Sequence, residues 1–225
     1  MKRGVEAEMN TALGVIRKRW DDHAQSYDDL NQQYSGREWM KVLKTYLGQN
    51  EDIDVVDVGG GTGFLSLYAA GLSYKRCHCV DLSAGMLAIA QKHAGQNNLS
   101  INIICSTAEN LPFPDNSVDA VINRWLLWTL LEPQVSLKEW RRVLKPNGRL
   151  LCFCTVGENE KDAPQSDHYT KEVEDILPLK YAVKETLIRV LQEAGFVDVE
   201  GIACPQLLSH DPQRLTWYLI KGRKE

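Results

Sequence analysis

Ile53-Asp54-Val55-Val56-Asp57-Val58-Gly59-Gly60-Gly61-Thr62-Gly63 decides how this chain folds. The first six residues are β-branched and apolar at most positions, as in a strand buried on both faces. They run without a spacer into four glycines, and helix-forming residues follow from Gly63 to Leu72. Glycine allows positive φ and lets a backbone approach a ligand closely. The helix that opens behind the turn presents unpaired N–H groups. Strand, glycine turn and helix in that order place the turn at the carboxyl edge of an open α/β sheet, where ligands of such sheets bind.

The turn is compatible with few ligands. A phosphate loop of the G-x4-G-K-[ST] kind requires a lysine that is absent here. A dinucleotide turn, G-x-G-x-x-G, is satisfied at Gly59 and Gly61 but has Phe64 at the third position, where a bulky ring hinders helix–strand packing. Asp57 also sets a carboxylate beside the loop, which disfavours pyrophosphate and favours a cation. S-adenosylmethionine (SAM), with a sulfonium and an ammonium, fits that charge. Asp81 lies 24 residues beyond Asp57 and ends the second strand, Arg76 to Val80. A carboxylate there can accept both ribose hydroxyls of an adenosine.

Outward from the turn, strands and helices alternate. Ser83 is placed to cap a helix carrying Met86, Leu87, Ile89 and Ala90. Strands are expected at Ile101–Cys105, Val118–Ile122 and Arg149–Thr155. A helix opening at Pro133 stops at the turn Lys145-Pro146-Asn147-Gly148. A further helix is expected from Val183 to Ala194, then strands at Val197–Ile202 and Leu215–Ile220. The last two have no helix between them, so they read as a hairpin with one antiparallel strand. Residues 5 to 47 read as a polar helical lead-in, and 157 to 170 as a loop. The whole is expected to be one α/β domain, residues 1–225, with 1–50 and 157–182 as two lids over the cleft.

The chain has 225 residues, 44% hydrophobic and 25% charged, with a net charge of −4. That balance gives no electrostatic reason for a nucleic-acid partner, and the short basic stretch Arg17 to Arg19 is matched by Asp21 and Asp22. The opening MKRGVEAEMN lacks an apolar signal region, and no run approaches membrane-spanning length. A cytoplasmic protein is expected. Cys77, Cys79, Cys105, Cys152, Cys154 and Cys204 include two C-x-C pairs inside strand-like runs. Those pairs lack the C-x2-C spacing of common zinc sites and read as small buried hydrophobes, with no metal expected.

Four segments, DVGGGTG (57–63), VDLSAGML (80–87), AENLPFPDNSVDAV (108–121) and EWRRVLKPNGRLL (139–151), resemble class I SAM-dependent methyltransferases of the type 11 branch. That branch includes enzymes similar to those of ubiquinone and menaquinone biosynthesis. The lead-in WDDHAQSYD (20–28) is similar as well, and the likeness spans roughly residues 20 to 155. It implies a Rossmann-like α/β fold, a seven-stranded sheet of order 3-2-1-4-5-7-6 with helices on both faces. It also implies SAM as cofactor and a small-molecule methyl acceptor. By the resemblance, Asp57 and the backbone of Gly59 and Gly61 hold the methionine part and Asp81 holds the ribose. Leu82 and Met86 pack on the adenine, Ala108 and Glu109 lie at its edge, and Tyr27 closes over the cofactor. Asn123 and Arg124 lie near the methionine moiety and the transferred methyl. The family commonly has Gly-Asp where this chain has Ser106-Thr107. Thr107 still accepts a hydrogen bond, without the charge-assisted component.

Methyl transfer from a sulfonium requires alignment and exclusion of water more than proton transfer. His23, His168 and Tyr169 are the candidates should the acceptor have to lose a proton, and none stands out as catalytic. His78 and His93 read as structural. Trp125 and Trp128 read either as core packing or as an aromatic wall of the acceptor pocket, with Trp125 the better wall candidate. A SAM-binding module without catalysis and an NAD-dependent oxidoreductase are the competing functional readings.

Overall fold

The computed structural model describes residues 2–31, 34–156, 168–207 and 216–225. The lead-in consists of two helices, α1 (Lys2–Asn31) and α2 (Gly36–Leu47), in place of one continuous stretch. α2 starts at Gly36, where a Cβ would come within 2.7 Å of the Tyr68 hydroxyl, so a larger residue would have to displace that ring. Then follow β1 (Asp54–Val58), α3 (Phe64–Gly71), β2 (Arg76–Asp81), α4 (Ala84–Gln96), β3 (Asn102–Cys105) and β4 (Val118–Arg124). The second half contains α5 (Pro133–Val143), β5 (Leu144–Val156), the short α6 (Lys171–Glu174), α7 (Lys184–Glu193), β6 (Val197–Ala203) and β7 (Thr216–Arg223).

The seven strands lie in the order β3-β2-β1-β4-β5-β7-β6. All neighbours are parallel except β7, which runs antiparallel to both β5 and β6. Both the order and the antiparallel hairpin agree with the reading of the sequence. β5 begins earlier than expected. Leu144 pairs with Val118, an irregularity follows through the Pro146–Gly148 bend, and the regular ladder resumes at Arg149 opposite Ala120. The expected turn is therefore a bulge within the strand.

Every residue of β1 is buried, as its apolar run demands. Two large cores cover the two faces of the sheet. One gathers Val56, Val121, Leu137, Trp140, Leu150 and Ile220; the other gathers Trp39, Leu43, Val55, Leu65, Phe153 and Trp217. Cys77 and Cys152 belong to these cores, and burial pushes each thiol up to about 12, so both stay protonated at neutral pH. His78 packs edge-on to Phe113, and His93 lies 3.2 Å from Asp28, tying α4 to α1. Among the described residues no helix is long and apolar enough to cross a membrane.

Polar contacts strap α1 across the carboxyl edge of the sheet. Asp21 Oδ1 accepts from Ser83 Oγ at 2.6 Å and from Gly85 N at 2.9 Å, which adds an outside cap to the start of α4. Ser83 Oγ itself accepts from Met86 N, as its capping role requires. Asn31 Nδ2 donates to Thr62 in the glycine turn at 3.1 Å.

Trp140 is fully buried, and its Nε1 donates to the Ala108 carbonyl at 2.9 Å, fixing the segment after β3 against α5. Trp140→Ala is expected to lower the unfolding free energy in urea by about 3–5 kcal/mol. Trp140→Phe, which retains most of the packing but leaves that carbonyl without its donor, should lower it by about 1–3 kcal/mol.

Candidate active site

The glycine turn is held by a carboxylate on each side. Asp57 points beneath it, and its Oδ2 accepts from Ser66 N at 3.0 Å and Ser66 Oγ at 2.7 Å, locking the first turn of α3 to the end of β1. Asp81 stands in front, with Oδ2 accepting from Gly61 N at 2.9 Å and Oδ1 from Ser83 N at 2.8 Å. Gly61 adopts φ +56°, which directs its N–H at that carboxylate. At Gly60 the constraint is space, because a Cβ there would lie 2.6 Å from Cys79 Sγ and 3.0 Å from Asp57 Oδ2.

In front of the turn lies a cavity of about 460 Å³, ordinary for a small-molecule site. At one end it is lined by Gly59, Gly61, Asp81, Leu82, Met86 and Tyr27. At the other are Trp20, Trp125, Leu126, Trp128, Thr155, His168, Leu179, Lys180 and Leu187. Arg19, His23 and Ser26 of α1 also face it. Both tryptophans of the Trp125–Trp128 segment thus contribute wall. Trp125 does so in a left-handed conformation, φ 57°, uncommon for a bulky side chain. It is kept there by its N–H on Phe153 O (2.8 Å), its Nε1 on Thr155 Oγ1 (3.0 Å) and a stacked contact with Trp217.

Six of the eleven sequence-derived site residues meet in this cavity: Tyr27, Gly59, Gly61, Asp81, Leu82 and Met86. The other five do not line it. Asp57 is turned under the loop toward Ser66. Thr107 sits in the tight turn after β3, its carbonyl accepting from Asn110 N. Ala108 is engaged by Trp140, and Glu109 accepts from Ser136 Oγ at 3.0 Å, which draws this segment toward α5. Asn123 is fully buried with its Nδ2 on Cys152 Sγ. Of the proton-transfer candidates, His23 and His168 face the cavity; His23 contacts the Arg19 guanidinium. Tyr169 stands behind the wall, its hydroxyl accepting from Trp20 Nε1 at 2.9 Å. The lining residues Arg19, Lys180 and Leu187 carried no local sequence signal, since only the fold brings α1, α7 and the segment before α7 to one point.

Residues 56–152 match the profile of a family described as "Methyltransferase domain". Over that stretch the chain is similar to methyltransferase domains. Demethylmenaquinone methyltransferase of Symbiobacterium thermophilum is 32% identical over 145 residues, 61% of this chain and 58% of that protein. The ubiquinone/menaquinone biosynthesis C-methyltransferase of Cellvibrio japonicus is 29% identical over 202 residues, 79% of this chain and 81% of that protein. Against several such relatives the chain spans little more than half of their length, 54% and 51% in two cases. A solved 1,6-didemethyltoxoflavin-N1-methyltransferase of Burkholderia thailandensis superposes with a TM-score of 0.72 at 16% identity, covering 96% of this chain and 89% of that one. A SAM-dependent methyltransferase of Aquifex aeolicus gives 0.69 at 21%, covering 91% and 98%. At those identities the likeness is one of fold.

Burial raises both turn carboxyls, Asp57 to about 7 and Asp81 to about 6, against the downward pull of the N–H and O–H donors they accept. The folded protein therefore holds protons that the unfolded chain releases near pH 4. Stability should fall as pH rises from about 4 through 7. Asp57→Asn should flatten this dependence in urea titrations run across that range. Separately, Gly60→Ala is expected to cost about 1–3 kcal/mol through overpacking. Combining it with Cys79→Ala should recover part of the loss, so that the double variant is more stable than the two single effects add to.

Proposed function

We propose that the protein transfers the methyl group of SAM to a small-molecule acceptor. The observation that carries the reading is the Asp81–Gly61 contact at the head of an aromatic-walled cavity. Asp81 is 8% exposed and uses one lone pair of each oxygen on backbone N–H groups. A carboxylate has about four acceptor positions, which leaves capacity for a vicinal diol such as a ribose. Leu82 and Met86 offer apolar surface beside it for a nucleobase, and Tyr27 stands over Gly61, 3.8 Å from the place a Cβ would take. That gap between Tyr27, Met86 and the turn is the slot these residues offer to a thin, extended group. The residues present thus fit an adenosine with a chain leading past Gly59 and Gly61.

When bound, the cofactor supplies a methyl group already activated on a sulfonium. The protein's own part is to hold, orient and dry the reacting pair. The turn and Asp81 fix one partner. Trp125, Trp128, Leu179 and Leu187 give the other a flat, water-excluding bed. In this reading α1 is a lid, its Asp21 and Asn31 contacts closing the cleft, and His168, Leu179, Lys180 and Ala182 belong to a second lid whose residues 157–167 lie outside the described set. Asp57 acts through Ser66 by positioning the turn.

Calorimetric titration with S-adenosylhomocysteine tests the cofactor, and transfer of labelled methyl from SAM to a panel of small metabolites tests the reaction. Asp81→Asn is expected to weaken S-adenosylhomocysteine by about 1.5–3 kcal/mol, roughly ten- to hundredfold. Because the ionised carboxylate accepts the ribose hydroxyls, wild-type affinity should drop toward tenfold per pH unit below about 6 and lose that slope in Asp81→Asn. Wild-type protein that does not bind the ligand at neutral pH defeats the reading, and binding without transfer to any acceptor reduces it to a cofactor-binding module.

A further inference from the structure

Thr155 stands near the carboxyl end of β5 and is half-buried. Alternation along the strand puts it in one column with Leu151 and Phe153, which pack into the aromatic core around Trp39 and Trp217. The column thus ends in a hydroxyl where it reaches the cavity. A hydroxyl has one hydrogen to donate and two lone pairs. Ser26 and Thr129, which also line the cavity, spend their hydrogens on the carbonyls of His23, at 3.0 Å, and Leu126, at 2.8 Å. Thr155 is used the other way round. Its Oγ1 accepts from Trp125 Nε1 at 3.0 Å, and its own hydrogen has no acceptor among the described residues. A hydroxyl that accepts a hydrogen bond becomes the stronger donor, because each bond polarises the next.

Two features tie that donor to a ligand. Trp125 presents its indole to Thr155 from a left-handed backbone position, φ 57°, and such departures gather where ligands bind. The cavity also has apolar lining in Leu126, Trp128, Val156, Leu179 and Leu187. A ligand packed against such walls expels the water that a hydroxyl otherwise uses, and a donor left there without an acceptor is costly. A site of this kind rejects an analogue lacking the matching polar atom more strongly than one of altered size.

We propose that Thr155 sets the specificity of this end of the cavity by donating its hydroxyl hydrogen to an uncharged oxygen, of the carbonyl or ether class, on an otherwise apolar ligand. The inference rests on the function proposed above only in making that ligand the methyl acceptor.

The test uses 1-indanone and indane, which share a shape and differ by one carbonyl oxygen. Each is titrated into wild type, Thr155→Val, Thr155→Ser and Trp125→Phe and followed by ligand-observed NMR. Thr155→Val is expected to weaken 1-indanone roughly tenfold and to leave indane unchanged, and unchanged indane binding also reports an intact cavity. Thr155→Ser should restore most of the loss. Trp125→Phe keeps the Thr155 hydroxyl and should bind 1-indanone more tightly than Thr155→Val does. Saturating S-adenosylhomocysteine should leave 1-indanone bound, as an acceptor beside the cofactor requires. If Thr155→Val does not fold, Thr155→Ala takes its place. Equal weakening of both ligands by the folded variant marks a packing role and overturns the proposal. So does unchanged 1-indanone affinity in that variant, loss of it in Trp125→Phe alone, or wild type that binds neither ligand up to its solubility. Displacement of 1-indanone by S-adenosylhomocysteine places it at the glycine turn and overturns the proposal too. Wild type that does not bind S-adenosylhomocysteine instead defeats the methyl-transfer reading, and the titrations on the free protein then decide Thr155 alone.

Discussion

The hydrogen bond from Gly61 N to Asp81 joins two strand ends that lie side by side, β1 through its glycine turn and β2 through its last residue. It needs the turn to fold back far enough for an amide to face sideways, and it needs a carboxylate to remain where water is scarce. The glycines meet the first requirement, and the second is met by surrounding Asp81 with N–H groups. The rest of the carboxyl edge is arranged around this joint. Asp57 braces the turn from below, Ser83 starts α4 beside it, and α1 lies across the front through Asp21 and Asn31.

Charge is distributed unevenly around that joint. The two carboxyls at the turn are pushed toward neutrality by burial, while the Arg124 guanidinium lies inside a ring of aromatic faces. Side chains of this kind are poor choices for stability alone, since well-packed apolar groups of the same volume would usually serve better. They stand together at the carboxyl edge of the sheet, whereas at the opposite edge the buried Asp54 is ion-paired with Arg76.

How much of this the sequence revealed depended on whether the signal was local. The strand into the glycine turn, the Asp81 strand end, Ser83 as a cap and the terminal hairpin all follow from neighbouring residues, because periodicity and backbone conformation are local properties. Leu82 and Met86, just beyond Asp81, were placed at the cleft by family analogy, and both line the cavity. Ala108, Glu109 and Asn123 were placed at the site by family analogy, whereas here Trp140, Ser136 and Cys152 engage them. Those partners are 32, 27 and 29 residues away, and no window of sequence shows which hydrogen bond wins. The bulge at Pro146–Gly148 was likewise hidden, since β5 pairs with Val118 on a strand far away in sequence.

The strand order also constrains how the molecule assembles. β6 touches the sheet through β7 alone, and β7 is made after it. During synthesis β6 therefore has nothing to pair with, while β5 presents a row of unpaired amides and carbonyls on its outer side. Such an open edge is a template for pairing with another chain, and it persists until residues 216–223 are available. That open edge thus exists late, after the glycine turn and its neighbours have already been made.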